Sequence, residues 1–314
     1  MSTAPLREFD VVVVGAGASG LTAASQCAER GASVVSIEEA GMPGGLIANI
    51  GQIDGFPASA PLSGAALIDT LLQACKESEV TLLNAKVSGL AASGYQWVVS
   101  TDQGPVVAQR VVIASGARLR ELGVPGETEL AGRGVSQCNW CDGGFFKNES
   151  VFVVGGGDAA FQAALHLACL CASVTIVMRG STMRARRSYV QAAASNEQIA
   201  FQWDMAVERI LGSDRVEGIL LRNLAEGGKQ EQHPASGVFV FVGTEPNTGF
   251  LPPEIERDAA GLVITNASHL SSLPGVYAVG GVRSAYRGQL VSACGEGAAA
   301  AAAVIEDLQR HELL

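Results

Sequence analysis

The segment FDVVVVGAGASGLTAASQCAERGASVVSIEEAG, residues 9–41, constrains this chain more than any other. Val11 to Val14 form an unbroken β-branched run, the pattern of a strand buried on both faces. Gly15, Gly17 and Gly20 follow in G-x-G-x-x-G spacing, with Ala18 and Ser19 between the last two. Residues 21–29 have helical periodicity, Gly31 ends that helix, and residues 33–38 give a second strand closed by Glu38. Each part has a physical job in holding a dinucleotide. The first glycine makes the tight turn, the second admits a pyrophosphate to the backbone, and the third lets helix pack on strand. The helix N-terminus faces the phosphates, and the acid about twenty residues on accepts hydrogen bonds from a ribose.

A second unit of the same kind is SVFVVGGGDAAFQAALHLACLCASVTIVMRGSTMRARR, residues 150–187. Strand 151–154 leads to Gly155, Gly157 and the Asp158-Ala159-Ala160 variant of the glycine motif, then to a helix and a strand. Arg179 stands where the first unit has its acid, and Arg184 follows. A carboxylate there would repel a 2′-phosphate, whereas arginines pair with one, so NADPH is expected over NADH. Two such units in one chain describe a flavoprotein fed by a nicotinamide. FAD is assigned to the first unit, whose domain resumes at LPGVYAVGGVRSAYRGQLVSACGEGAAAAAAVIEDL, residues 273–308. The expected fold class is α/β, with two Rossmann-like three-layer nucleotide-binding domains, the second inserted in the first. Residues 1–118 and 247–314 form the FAD domain and residues 119–246 the NAD(P)H domain, with Gly- and Pro-bearing crossings at GARLRELGVPGE and VGTEPNTGF.

The 314 residues are ample for two cores, and a 17% charged, glycine-rich composition is that of a compact enzyme. A net charge of −10 argues against a nucleic-acid partner. The N-terminal residues lack the pattern of a secretory signal and no apolar run is long enough to cross a bilayer. A cytoplasmic protein without a membrane partner is therefore expected.

Seven cysteines at scattered spacing do not form a secreted disulfide framework. Cys27, Cys75, Cys169, Cys171 and Cys294 read as core. Cys138 and Cys141 stand in VSQCNWCDGGFFK, a loop-like, glycine-rich setting. A zinc site would need two further ligands at close spacing. None of His166, His233, His269 and His311 is paired with another histidine or with a cysteine, so no metal is expected. A buried structural pair suits the turn residues poorly. A redox-active dithiol is the economical reading, with a helix N-terminus available to lower a thiol pKa. Asp142 is the candidate proton donor and acceptor, since no histidine adjoins the motif in sequence.

These motifs together resemble the low-molecular-weight, thioredoxin-reductase-like flavoprotein disulfide reductases, from about Phe9 to Leu308. The resemblance is carried by GAGASG (15–20), GGLIANIGQIDGFP (44–57), VVIASGARLRELGVPGE (111–127), CNWCDG (138–143), GGGDAA (155–160), GTEPNT (243–248) and LPGVYAVGGV (273–282). It implies a homodimer, and electron flow from NADPH to FAD to the disulfide, then to a thioredoxin-like protein or a small disulfide. It also implies a nicotinamide domain that rotates. By position, Cys141 is the flavin-proximal sulfur, Cys138 the one that attacks the partner, and Asp142 the acid/base. The resemblance adds Glu39, Gly45, Leu46, Val87, Gly281, Gln289 and Leu290 to the FAD site and Gly243 to the NADPH site.

The chain departs from the family at several points. Leu46 replaces a glutamine, Gly55 an asparagine and Gly281 the acid that holds the flavin's ribityl chain and phosphates. Gly288-Gln289 stands for Arg-Gln, and Met178-Arg179-Gly180 for His-Arg-Arg. Two other functions compete. One is a dithiol oxidase that passes electrons to oxygen. The other is a flavin reductase or redox sensor in which the bulky Trp140 excludes a protein disulfide.

Overall fold

A computed structural model describes residues 7–57 and 62–311. The chain divides into two compact units, Met1–Arg118 with Glu245–Leu314, and Leu119–Thr244. The fold is α/β and holds two Rossmann-like units.

In the first unit, β1 (Arg7–Val14), α1 (Ala18–Ala28) and β2 (Val34–Glu38) make the opening βαβ. Helix α2 (Gly64–Glu77), N-capped by the Ser63 hydroxyl accepting from Ala66 N at 3.2 Å, leads to β3 (Thr81–Asn84). An antiparallel excursion follows, β4 (Val87–Ser93), β5 (Gln96–Thr101) and β6 (Val106–Ile113). The sheet order is β3-β2-β1-β6-β5-β4. Alternation along β1 sends Val11 and Val13 to a core shared with α1, while Val12 and Val14 face a second core with Trp97, Leu251 and Ile255. Both faces are covered, which is why the strand reads as continuous valine.

The second unit is entered on β7 (Ala117–Leu119). Next come β8 (Val135–Ser136), the one-turn α3 (Asn139–Asp142), β9 (Ser150–Val154), α4 (Asp158–Ala168), β10 (Ser173–Val177), α5 (Arg187–Ala194) and β11 (Ile199–Gln202). An antiparallel sheet of β12 (Met205–Leu211), β13 (Gly218–Asn223) and β14 (Gln230–Pro234) precedes β15 (Gly237–Val240). The parallel sheet has order β11-β10-β9-β15-β8. Cys138 follows the edge strand β8, and Gly155 follows β9. Both therefore sit at the carboxyl end of one parallel sheet, where open α/β sheets bind ligands.

The chain leaves on β16 (Thr244–Pro246), which pairs with β7. In the first unit, β17 (Val276–Ala278) then pairs with residues 111–113 of β6, beyond the residues that pair with β5. The last element is α6 (Leu290–Arg310), which packs along α1.

Candidate functional site

In the first unit the glycine turn is built as its sequence requires. Gly15 has φ +103°, and a β-carbon there would lie 2.4 Å from Ala114 O. At Gly20 it would lie 2.0 Å from Gly15 O, so only glycine lets α1 approach β1 this closely. Gly17 N-caps α1 without a side-chain acceptor, and a β-carbon on it would meet nothing nearer than Gly44 O at 4.0 Å. The first-turn amides of Ala18, Ser19 and Gly20 are thus not claimed by a side-chain cap. A second glycine turn, Gly44-Gly45, bridges to Gly17. Glu38 is drawn into this cradle, its two oxygens accepting from Ala16 N at 2.9 Å and Ala40 N at 3.0 Å. Each oxygen keeps a further lone pair for a hydroxyl.

The other expected FAD residues are placed unevenly. The turn Gly280–Val282 lies over the start of α1, since a β-carbon on Gly280 would reach Ser19 Oγ at 2.5 Å. Gly280 N donates to Glu296 of α6, and Glu296 also pairs with Arg283. Gln289 N-caps α6 and Leu290 is its first residue. Leu46 is exposed in the short turn Gly45–Ile47, and Val87 opens β4. Glu39 points elsewhere, pairing with Lys86 at 2.8 Å between two exposed side chains. An uncapped helix N-terminus, two glycine turns with open ground above Gly17, and a fixed carboxylate fit a dinucleotide such as FAD.

In the second unit Gly155 has φ +148°, with Phe241 O only 2.2 Å from the site of a β-carbon. Gly157 N-caps α4 and would meet nothing within 4 Å. Ala159 is exposed on the first turn of α4. Gly243 (φ +106°) accepts from Arg120 N at 3.0 Å, with open space on its β-carbon side. Arg179 and Arg184 are exposed, and Arg184 N donates to Gly156 O at 2.9 Å. Sequence reading missed Arg186, whose backbone N and Nε both donate to Asp158, at 2.7 and 2.8 Å. Asp158 therefore ties the arginine loop down across the glycine turn. These residues fit a phosphate-bearing nucleotide of net negative charge.

The cysteine motif closes as a disulfide between Cys138 and Cys141, with Cα atoms 5.3 Å apart. Cys138 N-caps α3, and its sulfur accepts from Cys141 N at 3.1 Å. The buried Ser136 seats the motif: its hydroxyl accepts from Cys138 N at 2.9 Å and donates to Asp142 Oδ2 at 2.7 Å. Asp142 lines an open cleft of about 540 Å³ with Ser136, Phe145, Phe146 and Glu149.

A histidine does stand at the motif, contrary to the expectation from sequence. His166, two turns along α4, stacks on Trp140 with ring centroids 3.7 Å apart. Its Nδ1 lies 3.0 Å from Asn139 Nδ2. Burial pushes its pKa below the ordinary histidine value. No spacing rule could have found it, because α4 meets α3 only in the folded unit. A second correction concerns Cys169, which was expected in the core and is exposed. Helix α4 ends at Ala168, so Cys169 caps it on the outside while Cys171 turns inward. Cys294 is half-buried, and Cys27, Cys75 and Cys171 are buried thiols pushed up to about 12, 11 and 11 by desolvation.

Among known proteins, the family described as pyridine nucleotide-disulphide oxidoreductase matches residues 9–298. The thioredoxin reductase of Treponema pallidum (strain Nichols) is 34% identical over 306 residues, covering 96% of this chain and 99% of that protein. The crystal structure of Lactococcus lactis thioredoxin reductase in its FR conformation is similar at a TM-score of 0.92 and 32% identity, covering 96% and 99% of the two chains. That of T. acidophilum thioredoxin reductase gives 0.91 at 30% identity, with the same coverage.

Proposed function

This chain belongs to the pyridine nucleotide-disulphide oxidoreductase family, and on that premise we propose that it reduces the disulfide of a thioredoxin-like protein through Cys138 and Cys141. It is an NADPH-dependent flavoprotein disulfide oxidoreductase whose cofactors are FAD and NADPH. The observation that carries this proposal is the Cys138–Cys141 disulfide seated on Ser136 and Asp142 at the carboxyl end of a nucleotide-type sheet.

FAD, when bound, relays electron pairs from the nicotinamide to sulfur. The first unit would hold it, with Gly15, Gly17, Ala18, Ser19 and Gly20 taking the pyrophosphate and Glu38 a ribose. Gly45, Leu46, Val87, Gly281, Gln289 and Leu290 would complete that site, whereas Glu39 is turned to Lys86. The second unit takes NADPH on Gly155, Gly157, Ala159 and Gly243. Arg179 and Arg184 would meet the 2′-phosphate, and Asp158 anchors their loop through Arg186. Cys141 would be the sulfur that receives the electrons FAD supplies. Cys138 is the nucleophile, its thiolate favoured by the amide of Cys141 that already donates to it. Asp142, oriented by Ser136, holds the proton for the departing thiolate. In balance, NADPH and one proton convert one external disulfide to two thiols. The working protein is a homodimer in the cytoplasm. Among the described residues no helix is long and apolar enough to cross a membrane.

The test is trapping. Cys141→Ser incubated with an oxidised thioredoxin-like protein is expected to accumulate a mixed disulfide through Cys138, seen as a mass adduct reversed by dithiothreitol. Anaerobic NADPH should bleach the flavin of the wild-type enzyme and then place two further electrons on the cysteines. Full disulfide reductase activity in Cys138→Ser would reduce the dithiol to a bystander. Turnover of a dithiol with oxygen, without response to NADPH, would establish an oxidase instead.

A further inference from the structure

Both residues between the two cysteines are held by one side chain from another element. Asn139, 8% exposed, meets His166 Nδ1 through its amide at 3.0 Å. Trp140 lies flat against the same ring, at 24° and 3.7 Å between centroids. The fit leaves no slack beneath the turn, since a β-carbon on Gly143 would already meet Leu167 Cδ2 at 3.0 Å and His166 Cε1 at 3.9 Å. Burial keeps the imidazole neutral at ordinary pH. A ring protonated at Nε2 then accepts the Asn139 N–H at Nδ1 while its face stays on the indole. The indole is thus folded back onto His166 of α4.

We propose that His166 is a positioning residue for the dithiol, clamping the Asn139-Trp140 dipeptide so that Cys138 and Cys141 remain in bonding range after reduction. The effect is one of effective concentration. Reduction breaks the S–S bond, adds two electrons and two protons, and frees the loop it closed. In an unbraced loop the two thiols gain conformational freedom, which favours the dithiol. With the two intervening side chains fixed to α4, little freedom is released, so the disulfide re-forms readily and its potential is more negative. His166 is proposed as no proton donor; its contacts are with Asn139 and Trp140. It acts through the two residues that set the cysteine spacing. The inference rests on Cys138 and Cys141 being the working couple, yet it is independent of their electron donor.

The test equilibrates the FAD-loaded enzyme in glutathione buffers of graded ratio, without NADPH, and counts alkylated Cys138 and Cys141 by peptide mass. His166→Ala is expected to lower the equilibrium constant for disulfide formation about tenfold, a shift of about 30 mV to less negative potential for a two-electron couple. His166→Phe, which restores only the stack, and His166→Gln, which restores only a hydrogen bond to Asn139, should each recover part of the difference. Trp140→Leu attacks the clamp from the exposed side and should shift the constant in the same direction, with no additional shift when combined with His166→Ala. If His166→Ala does not fold, Trp140→Leu carries the test by itself. Constants within twofold of wild type in Trp140→Leu and in any folded His166→Ala would overturn the proposal. A normal clamp effect in an enzyme that ignores NADPH would instead count against the proposed function alone.

Discussion

Gly281 stands where the resemblance leads one to expect an acid. It lies in the turn Gly280–Val282, and a β-carbon built on it would meet only ordinary contacts, the nearest being Ala117 N at 3.6 Å. The position is open, so the absence of an acid there is a matter of chemistry and not of space. The neighbouring carboxylate of Glu296 does not substitute for it, being engaged by Gly280 N and Arg283. Gly281→Asp is therefore expected to fold normally and to hold FAD more tightly, by about 1 kcal/mol or roughly fivefold in Kd, the worth of one added hydrogen bond. Flavin release monitored by fluorescence during dilution measures this directly. An unchanged Kd would mean that the backbone of the turn already meets the flavin's polar groups unaided.

Between elements, the contact that fixes the first cradle is α1 against α6. A β-carbon on Gly297 would stand 2.4 Å from Ser19 O and 3.1 Å from Thr22 Cβ, so backbone must meet backbone there. Gly297→Val is expected to cost about 1–3 kcal/mol in urea unfolding and to loosen FAD, because the displaced backbone belongs to the first turn of α1. This scale also shows what sequence carried and what it did not. Valine runs and glycine spacing exposed β1, β9 and both glycine turns, because those constraints are local. The Cys138–Cys141 pairing was legible from spacing and setting. The brace of His166 on Asn139 and Trp140, the seat of Ser136 under Asp142, and the grip of Asp158 on Arg186 were not. Each joins residues through tertiary contact or side-chain aim, which periodicity does not encode. Cys169 was misread for a related reason: helical period assigns a face only while the helix lasts, and α4 stops one residue earlier.

Across the whole molecule, each unit carries one histidine held below its usual pKa. Desolvation lowers His166 in the second unit. In the first unit, His269 is lowered by desolvation and then by Arg283, with Glu296 opposing. His269 Nδ1 is also buried without a hydrogen-bond partner among the described residues, so protonation there gains no acceptor. For both groups the unfolded chain binds a proton at higher pH than the folded one, and stability therefore rises with pH through this window. The contribution is complete above the unfolded value near pH 6.5 and is lost as pH falls toward the lowered folded values. Carboxylates titrate further down, so the interval just below pH 6.5 isolates the histidines. Urea midpoints measured from pH 8.0 to 5.5 should be flat at the alkaline end and fall below about pH 6.5. His269→Asn should flatten the part of that fall that belongs to the first unit, and His166→Gln the part that belongs to the second. A midpoint that stays level to pH 5.5 in the wild-type protein would show that both imidazoles accept protons in the folded state as readily as in water.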